Sequence, residues 1–180
     1  MGDDAFTQLV DAHYTSLYRF ALSLARNSAD ACDLTQQTFY VWATKGHALR
    51  DGSKAKTWLF TTLYREFLRS RRRGSRVSAL ADLPPGAEDP PAAEVDLAIR
   101  LDAQQVVEAL QEVDEAFRAP LTLFYLEDLP YQEIAGLLEV PIGTVMSRLS
   151  RGKAQLRTAL ARREAGEKII PFPLAQRKMS

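Results

Sequence analysis

Tyr131-Gln132-Glu133-Ile134-Ala135-Gly136-Leu137-Leu138-Glu139-Val140-Pro141-Ile142-Gly143-Thr144-Val145-Met146-Ser147-Arg148-Leu149 is the stretch that decides the fold. Ile134, Leu137 and Leu138 recur at the spacing of one helix face, with small Ala135 where a second helix can approach closely. Pro141 and Gly143 cannot comfortably continue that helix, so they belong to a turn. Thr144 is then placed to cap a second helix whose buried stripe is Val145, Leu149, Leu156 and Leu160. Its other face carries Ser147, Arg148 and Arg151, followed by Lys153, Arg157, Arg162 and Arg163.

Two short helices at a tight turn, the second apolar behind and basic in front, form a helix-turn-helix. In that motif the second helix puts its N-terminal residues on base edges and its flanks on phosphates. Arginine suits guanine bidentately, while Ser and Thr reach either base or phosphate. Thr144, Ser147, Arg148 and Arg151 are therefore candidate DNA contacts. A solvated amphipathic helix with basic residues near its end is the bland alternative. The preceding helix and the Pro-x-Gly-Thr-Val turn argue against it.

The helical period continues towards the N-terminus. Phe6, Leu9, Val10, His13, Leu17, Phe20, Ala21 and Leu24 share one face of a first helix. Asn27-Ser28 offers a break and a cap before a second helix through Leu34, Thr38 and Trp42. Gly46 and Asp51-Gly52-Ser53 mark a loop, and a third helix follows with Phe60, Leu63, Tyr64, Phe67 and Leu68 on one side. Between residues 79 and 91, Pro84-Pro85-Gly86 and Pro90-Pro91 sit in an acidic stretch that reads as a linker. Beyond it, Val95 to Arg118 reads as one helix and Leu121 to Leu126 as another after Pro120. No run alternates with the period of two that hairpins need. The expected fold is all-α: two small helical domains joined by an acidic Pro-rich linker, the second a helix-turn-helix. The expected divisions are 1–76, a flexible linker at 77–93, a second domain at 94–163 and a tail at 164–180.

The 180 residues carry 23 basic and 23 acidic side chains, a net charge of zero. That total excludes a uniformly basic coat protein and a cationic membrane binder. Locally the charge is uneven. Residues 45–76 carry +8, 77–139 carry −12 and 141–163 carry +6. Two basic blocks around an acidic middle fit a polyanion held at two points. The single cysteine, Cys32, rules out a disulfide scaffold or a cysteine-rich zinc module. The acidic start lacks a signal-peptide core, and no run nears the roughly 18 apolar residues of a membrane span. A cytoplasmic protein with no cofactor and no membrane insertion is expected.

The first basic block lies around the third helix. Lys54 and Lys56 precede it, and Arg65, Arg69, Arg72 and Arg76 follow at spacings that put them on one stripe, broadened by Arg71 and Arg73. Trp58, Phe60, Tyr64 and Phe67 supply an aromatic side. Basic residues interleaved with aromatics suit single-stranded DNA, because bases stack on rings while arginines hold phosphates. Taken singly, each of these aromatics reads more simply as core.

The order of these parts resembles the extracytoplasmic-function sigma factors of bacterial RNA polymerase. Asp33-Leu34-Thr35-Gln36-Gln37-Thr38-Phe39 resembles that family's Asp-Leu-x-Gln-Glu-Thr-Phe segment. Trp58-Leu59-Phe60-Thr61-Thr62-Leu63 resembles its Trp-Leu-Tyr-Thr-Ile-Ala. Glu133-Ile134-Ala135 and Pro141-Ile142-Gly143-Thr144-Val145-x-Ser147-Arg148-Leu149 resemble its last helix pair. The resemblance covers roughly residues 5–75 and 100–163.

It implies an alternative sigma factor, not an enzyme, that binds core RNA polymerase and directs promoter-specific initiation. Asp33, Gln36, Gln37 and Phe39 would dock on the clamp helices of the largest subunit, and the second domain would meet the β flap. Lys54, Lys56, Trp58, Arg65, Arg69 and Arg72 would open and read the −10 element of promoter DNA. Thr144, Ser147, Arg148 and Arg151 would read the −35 element. The linker would follow the polymerase's active-site and RNA-exit path. An anti-sigma factor covering the polymerase-binding surfaces is a further expected partner.

The departures from the family pattern are specific. Gln37 stands in place of Glu, Tyr64-Arg65 in place of Arg-Asn, and Val113-Asp114 in place of Leu-Pro. Glu139 replaces a turn glycine, and Met146 takes a position often held by Lys or Arg. Two rival functions compare poorly. Cys32 with His13 or His47 would make a poor nucleophile and base, since Asp33 beside the thiol disfavours its thiolate. A stand-alone helix-turn-helix regulator of duplex DNA would leave the Asp-Leu-x-Gln segment and the aromatic-basic helix without a task.

Overall fold

A computed structural model describes residues 3–74 and 103–167, and every regular element among them is helical. The first half holds α1 (Asp3–Ala25), α2 (Ser28–Lys45) and α3 (Ala55–Gly74), with two short 3₁₀ turns between α2 and α3. The second holds α4 (Ala103–Leu110), α5 (Glu115–Tyr125), α6 (Tyr131–Leu138) and α7 (Ile142–Glu167). The all-α expectation is borne out. The linker at 77–93, Arg76 and the apolar tail from residue 168 lie outside the described residues.

The break between α1 and α2 is local chemistry. Arg26 turns left-handed at φ 66°, and the Asn27 side chain accepts from the Asp30 amide at 2.8 Å. That cap satisfies an amide with no partner inside the helix. The apolar stripes then meet: Leu17, Phe20 and Leu24 of α1 pack with Leu34 and Trp42 of α2 and Leu59, Phe60 and Leu63 of α3. Thr35 and Thr38 are buried among them, their hydroxyls donating to the Ala31 and Leu34 carbonyls at 2.8 and 2.7 Å.

In the second half the helix expected to run unbroken to Arg118 stops at Leu110 and restarts at Glu115. Neither glycine nor proline marks the break; a side-chain exchange holds it. The Asp114 amide donates to Gln155 Oε1 at 2.9 Å, and Gln155 Nε2 donates to Asp114 Oδ2 at 2.7 Å. Arg118 is 1% exposed and donates from Nε to the Val113 carbonyl at 2.8 Å. Burial, with Arg26 nearby, lowers its pKa to about 10, so it stays charged at neutral pH.

Pro120 does not open a new helix but lies inside α5. It removes one backbone hydrogen bond, yet Ala119, Leu121, Thr122 and Leu123 around it are all buried. Burying Leu121 and Leu123 contributes about 1.5–3 kcal/mol each, enough to hold the proline in place. Gly152 of α7 fits because a Cβ there would meet Phe117 Cβ and Leu121 Cδ1 at 2.8 Å, so α5 and α7 approach closely.

Arg118→Ala should cost about 2–5 kcal/mol, from lost packing and an orphaned Val113 carbonyl. Urea unfolding checks it. Arg118→Met, which keeps the volume, should recover the packing share.

The halves also pack on each other. α1 lies against α4 and α5, and α3 lies against α6. Gln111 Nε2 donates to the Leu22 carbonyl at 2.9 Å, and Arg26 donates to the Gln111 carbonyl at 3.2 Å.

Candidate nucleic-acid interface

α6 and α7 meet at the turn read from the sequence, with one correction. Pro141, not Thr144, occupies the capping place: its carbonyl accepts from the Thr144 and Val145 amides at 2.9 and 3.2 Å. Thr144 is the third residue of α7 and half-buried. A proline carbonyl serves here because the helix starts three residues earlier than the Thr signal suggested. Val145, Leu149, Leu156 and Leu160 are buried as expected, and Ser147, Arg148 and Arg151 are partly exposed.

The arginines near the far end of α7 are engaged by surface carboxylates of the same chain. Arg162 pairs with Glu112 at 2.9 Å, and Arg163 bridges Glu108 and Glu112 at 3.0 and 2.9 Å. They clamp α7 to α4, so the free basic surface is confined to the helix's earlier turns.

Glu139 ends α6 at φ 57°, ψ 44°, the left-handed turn that glycine suits, and the Val140 amide reaches back to the Ala135 carbonyl at 3.1 Å. A residue with a Cβ costs about 1 kcal/mol or more there. Its ion pair with Arg65, 2.6 Å long, joins two side chains over 60% exposed and stabilises little. Glu139→Gly should therefore raise stability, by up to about 1 kcal/mol in thermal unfolding.

The basic residues of the first half are positioned by α3 and the turn before it. Lys54 is exposed at the end of the turn Gly52–Lys54, which Asp51 braces by accepting from Ser53 Oγ at 2.6 Å. Lys56 is half-exposed and pairs with buried Glu127 at 3.1 Å. Thr57 Oγ1 donates to Glu133 at 3.3 Å. Arg65 pairs with Glu139 as above, Arg71 with Glu115, and Arg69 with Glu66 of its own helix at 2.7 Å. Arg72 is exposed. Three of the cations around α3 thus meet carboxylates of the second half. Burial pushes the Tyr64 phenol up, against the opposing pull of the Arg148 guanidinium. α3 packs on α6, and Arg65 reaches Glu139 at the turn before α7, so α3 lies beside the start of α7.

The aromatic side of α3 is mostly core. Phe60 and Phe67 are buried, and Trp58 packs edge-on to Trp42 with centroids 5.0 Å apart, its own surface partly exposed. On α2, Asp33, Gln36 and Gln37 are exposed, but Phe39 does not share their surface. It is 7% exposed, edge-on to Phe6 and stacked on Tyr14, so it holds α2 to α1 from within. Tyr40, 65% exposed, stands on the outer stripe instead. The spacing 33, 36, 37, 40 is that of one helix face and could have revealed it.

Glu127 carries a pH signature. Burial raises its pKa, with Lys56 and then Arg19 opposing. An acid whose folded pKa is raised contributes stability at low pH that is lost as pH rises through the folded pKa. The stability gained by Glu127→Gln should thus grow as pH rises from the ordinary carboxylate range. Unfolding of both proteins across a pH series checks the sign.

Among the described residues no His, Cys, Asp and Glu cluster could hold a metal, and no helix is long and apolar enough to cross a membrane. Comparison with known proteins agrees with the geometry. Residues 9–77 match the family model of sigma-70 region 2, and residues 103–156 match that of sigma-70 region 4. The chain is 37% identical over 171 residues to the ECF RNA polymerase sigma factor SigE of Mycolicibacterium smegmatis, covering 89% of this chain and 65% of SigE. It is 31% identical to the RNA polymerase sigma factor CnrH of Cupriavidus metallidurans, covering 87% of this chain and 86% of CnrH. Its fold matches the sigma factor RpoE, solved with the anti-sigma factor NepR from Bartonella quintana. The TM-score is 0.64 at 26% identity, covering 87% of this chain and 97% of that one. Helix-turn-helix, basic third helix and these matches together make the chain a member of the extracytoplasmic-function sigma factors, which direct bacterial RNA polymerase to its promoters.

Proposed function

We propose that the two halves divide the promoter between them. Residues 1–76 dock on core polymerase and read the −10 element, and residues 94–163 read the −35 element. Residues 77–93 join the two. The docking face is Asp33, Gln36, Gln37 and Tyr40 on α2, with Phe39 supporting it from beneath. Lys54, Lys56, Trp58, Arg65, Arg69 and Arg72 take the opened strand, and Ser147, Arg148 and Arg151, with Thr144 behind them, take the upstream duplex. The protein carries no catalytic group of its own and works in the cytoplasm, where the polymerase is. An anti-sigma factor is its expected inhibitor, as NepR is a partner of the similar RpoE.

The observation that carries this reading is the pairing of Lys56, Arg65 and Arg71 with Glu127, Glu139 and Glu115. Those carboxylates compete with DNA phosphate for the three cations. The −35 and −10 elements lie about 25 base pairs apart, roughly 85 Å of duplex at 3.4 Å each. α3 and the start of α7, adjacent here, cannot meet both elements without parting. The 28 residues from 75 to 102 can reach roughly 95 Å when extended, enough to allow it. The arrangement described is accordingly the closed one, and engagement of polymerase opens it.

Gel filtration with purified core polymerase tests the docking. The wild-type chain should co-elute with core, and Asp33→Arg with Gln37→Arg should separate from it. A wild-type chain that elutes apart from core overturns the reading.

A further inference from the structure

Among the described residues, the large apolar side chains left exposed are three tyrosines, Ile142 and Met146. The tyrosines carry a hydroxyl for water. Ile142 and Met146 do not, and they stand 46% and 52% exposed on the first two turns of α7. A single exposed aliphatic residue is ordinary. Two of them one helical turn apart, at the end of the helix that would enter the groove, form a small apolar edge.

Successive helical residues are turned by about 100°, so the outward arc of α7 runs from Met146 through Ser150 and Ser147 to Arg151. Val145 and Leu149 hold the opposite side against the core. One edge of the arc is thus apolar, its middle hydroxylic and its far edge cationic. In the major groove only thymine offers an apolar group, its C5-methyl, whereas guanine offers two acceptors. A thioether cannot donate to guanine, so covering those acceptors would leave them unpaired.

We infer that Met146, with Ile142 behind it, is a specificity-determining residue that reads the C5-methyl of a thymine in the −35 element. This rests on the proposed function, which places α7 in that groove. Met146 suits the task because its unbranched chain adapts to the methyl's position. The consequence is a preference for thymine where a Lys or Arg at this place would favour guanine.

The test uses holoenzyme formed with core polymerase and duplexes whose upstream element is randomised. One pool is synthesised with thymine and one with uracil, which lacks only the methyl. The wild type should enrich a base at one position of the thymine pool about fourfold more than in the uracil pool, as burial of one methyl implies. Met146→Ala should lose that difference while still selecting the rest of the element, and Met146→Lys should turn the position towards guanine. Both residues are exposed, so the variants keep the fold. Equal enrichment in the two pools by the wild type overturns the inference. Failure of the wild type to enrich any upstream sequence overturns the proposed function as well.

Discussion

Joining α3 to α6 covalently should reduce transcription to the level of core polymerase alone. Thr57 and Glu133 already touch across the two halves at 3.3 Å. Changing both to cysteine, with Cys32 replaced by serine, allows one reducible bismaleimide bridge. Cys32 is the chain's single cysteine, so no other thiol competes. While bridged, Lys56 and Arg65 stay beside Glu127 and Glu139, and α3 stays beside the start of α7. The roughly 85 Å between promoter elements then cannot be spanned. Cleaving the bridge with reductant should restore activity, and that recovery separates locking from damage. A bridged chain as active as the reduced one would show that the closed arrangement is itself competent.

Arg148→Ala and Arg151→Ala carry the second large effect. A lost bidentate base contact costs about 1–3 kcal/mol, roughly five- to 150-fold in affinity. Holoenzyme binding to a duplex bearing the −35 element should weaken within that range for whichever arginine reads a base. An arginine that meets only phosphate should weaken all sequences alike and lower the salt dependence instead. The structure offers a contrast within the same helix. Arg162 and Arg163 are held by Glu112 and Glu108, so their replacement should lower stability more than DNA affinity.

Much of this was legible in the sequence because it rests on short-range chemistry. Pro141 and Gly143 marked the turn and Asn27 marked a cap, whereas the left-handed place of Glu139, at φ 57°, was suggested only by the family resemblance, in which a turn glycine stands there. Features that depend on distant partners were not legible. The break at residues 111–114 is held by Gln155, some 40 positions later, with no glycine or proline to announce it. Phe39 belongs to a family-like motif, yet the rings of Phe6 and Tyr14 draw it inside. The basic stripe on α3 was visible, but its carboxylate partners from Glu115 to Glu139 were not, since charge counts carry no record of who meets whom.

The most direct measurement is transcription by core polymerase and this chain on pooled fragments of the chain's own genome, with every RNA 5′ end mapped. A small set of discrete start sites is expected, each preceded by the same pair of −35 and −10 sequences, and none of them when the chain is omitted. Start sites unchanged by the chain, or scattered without a shared upstream pair, would contradict a promoter-directing role.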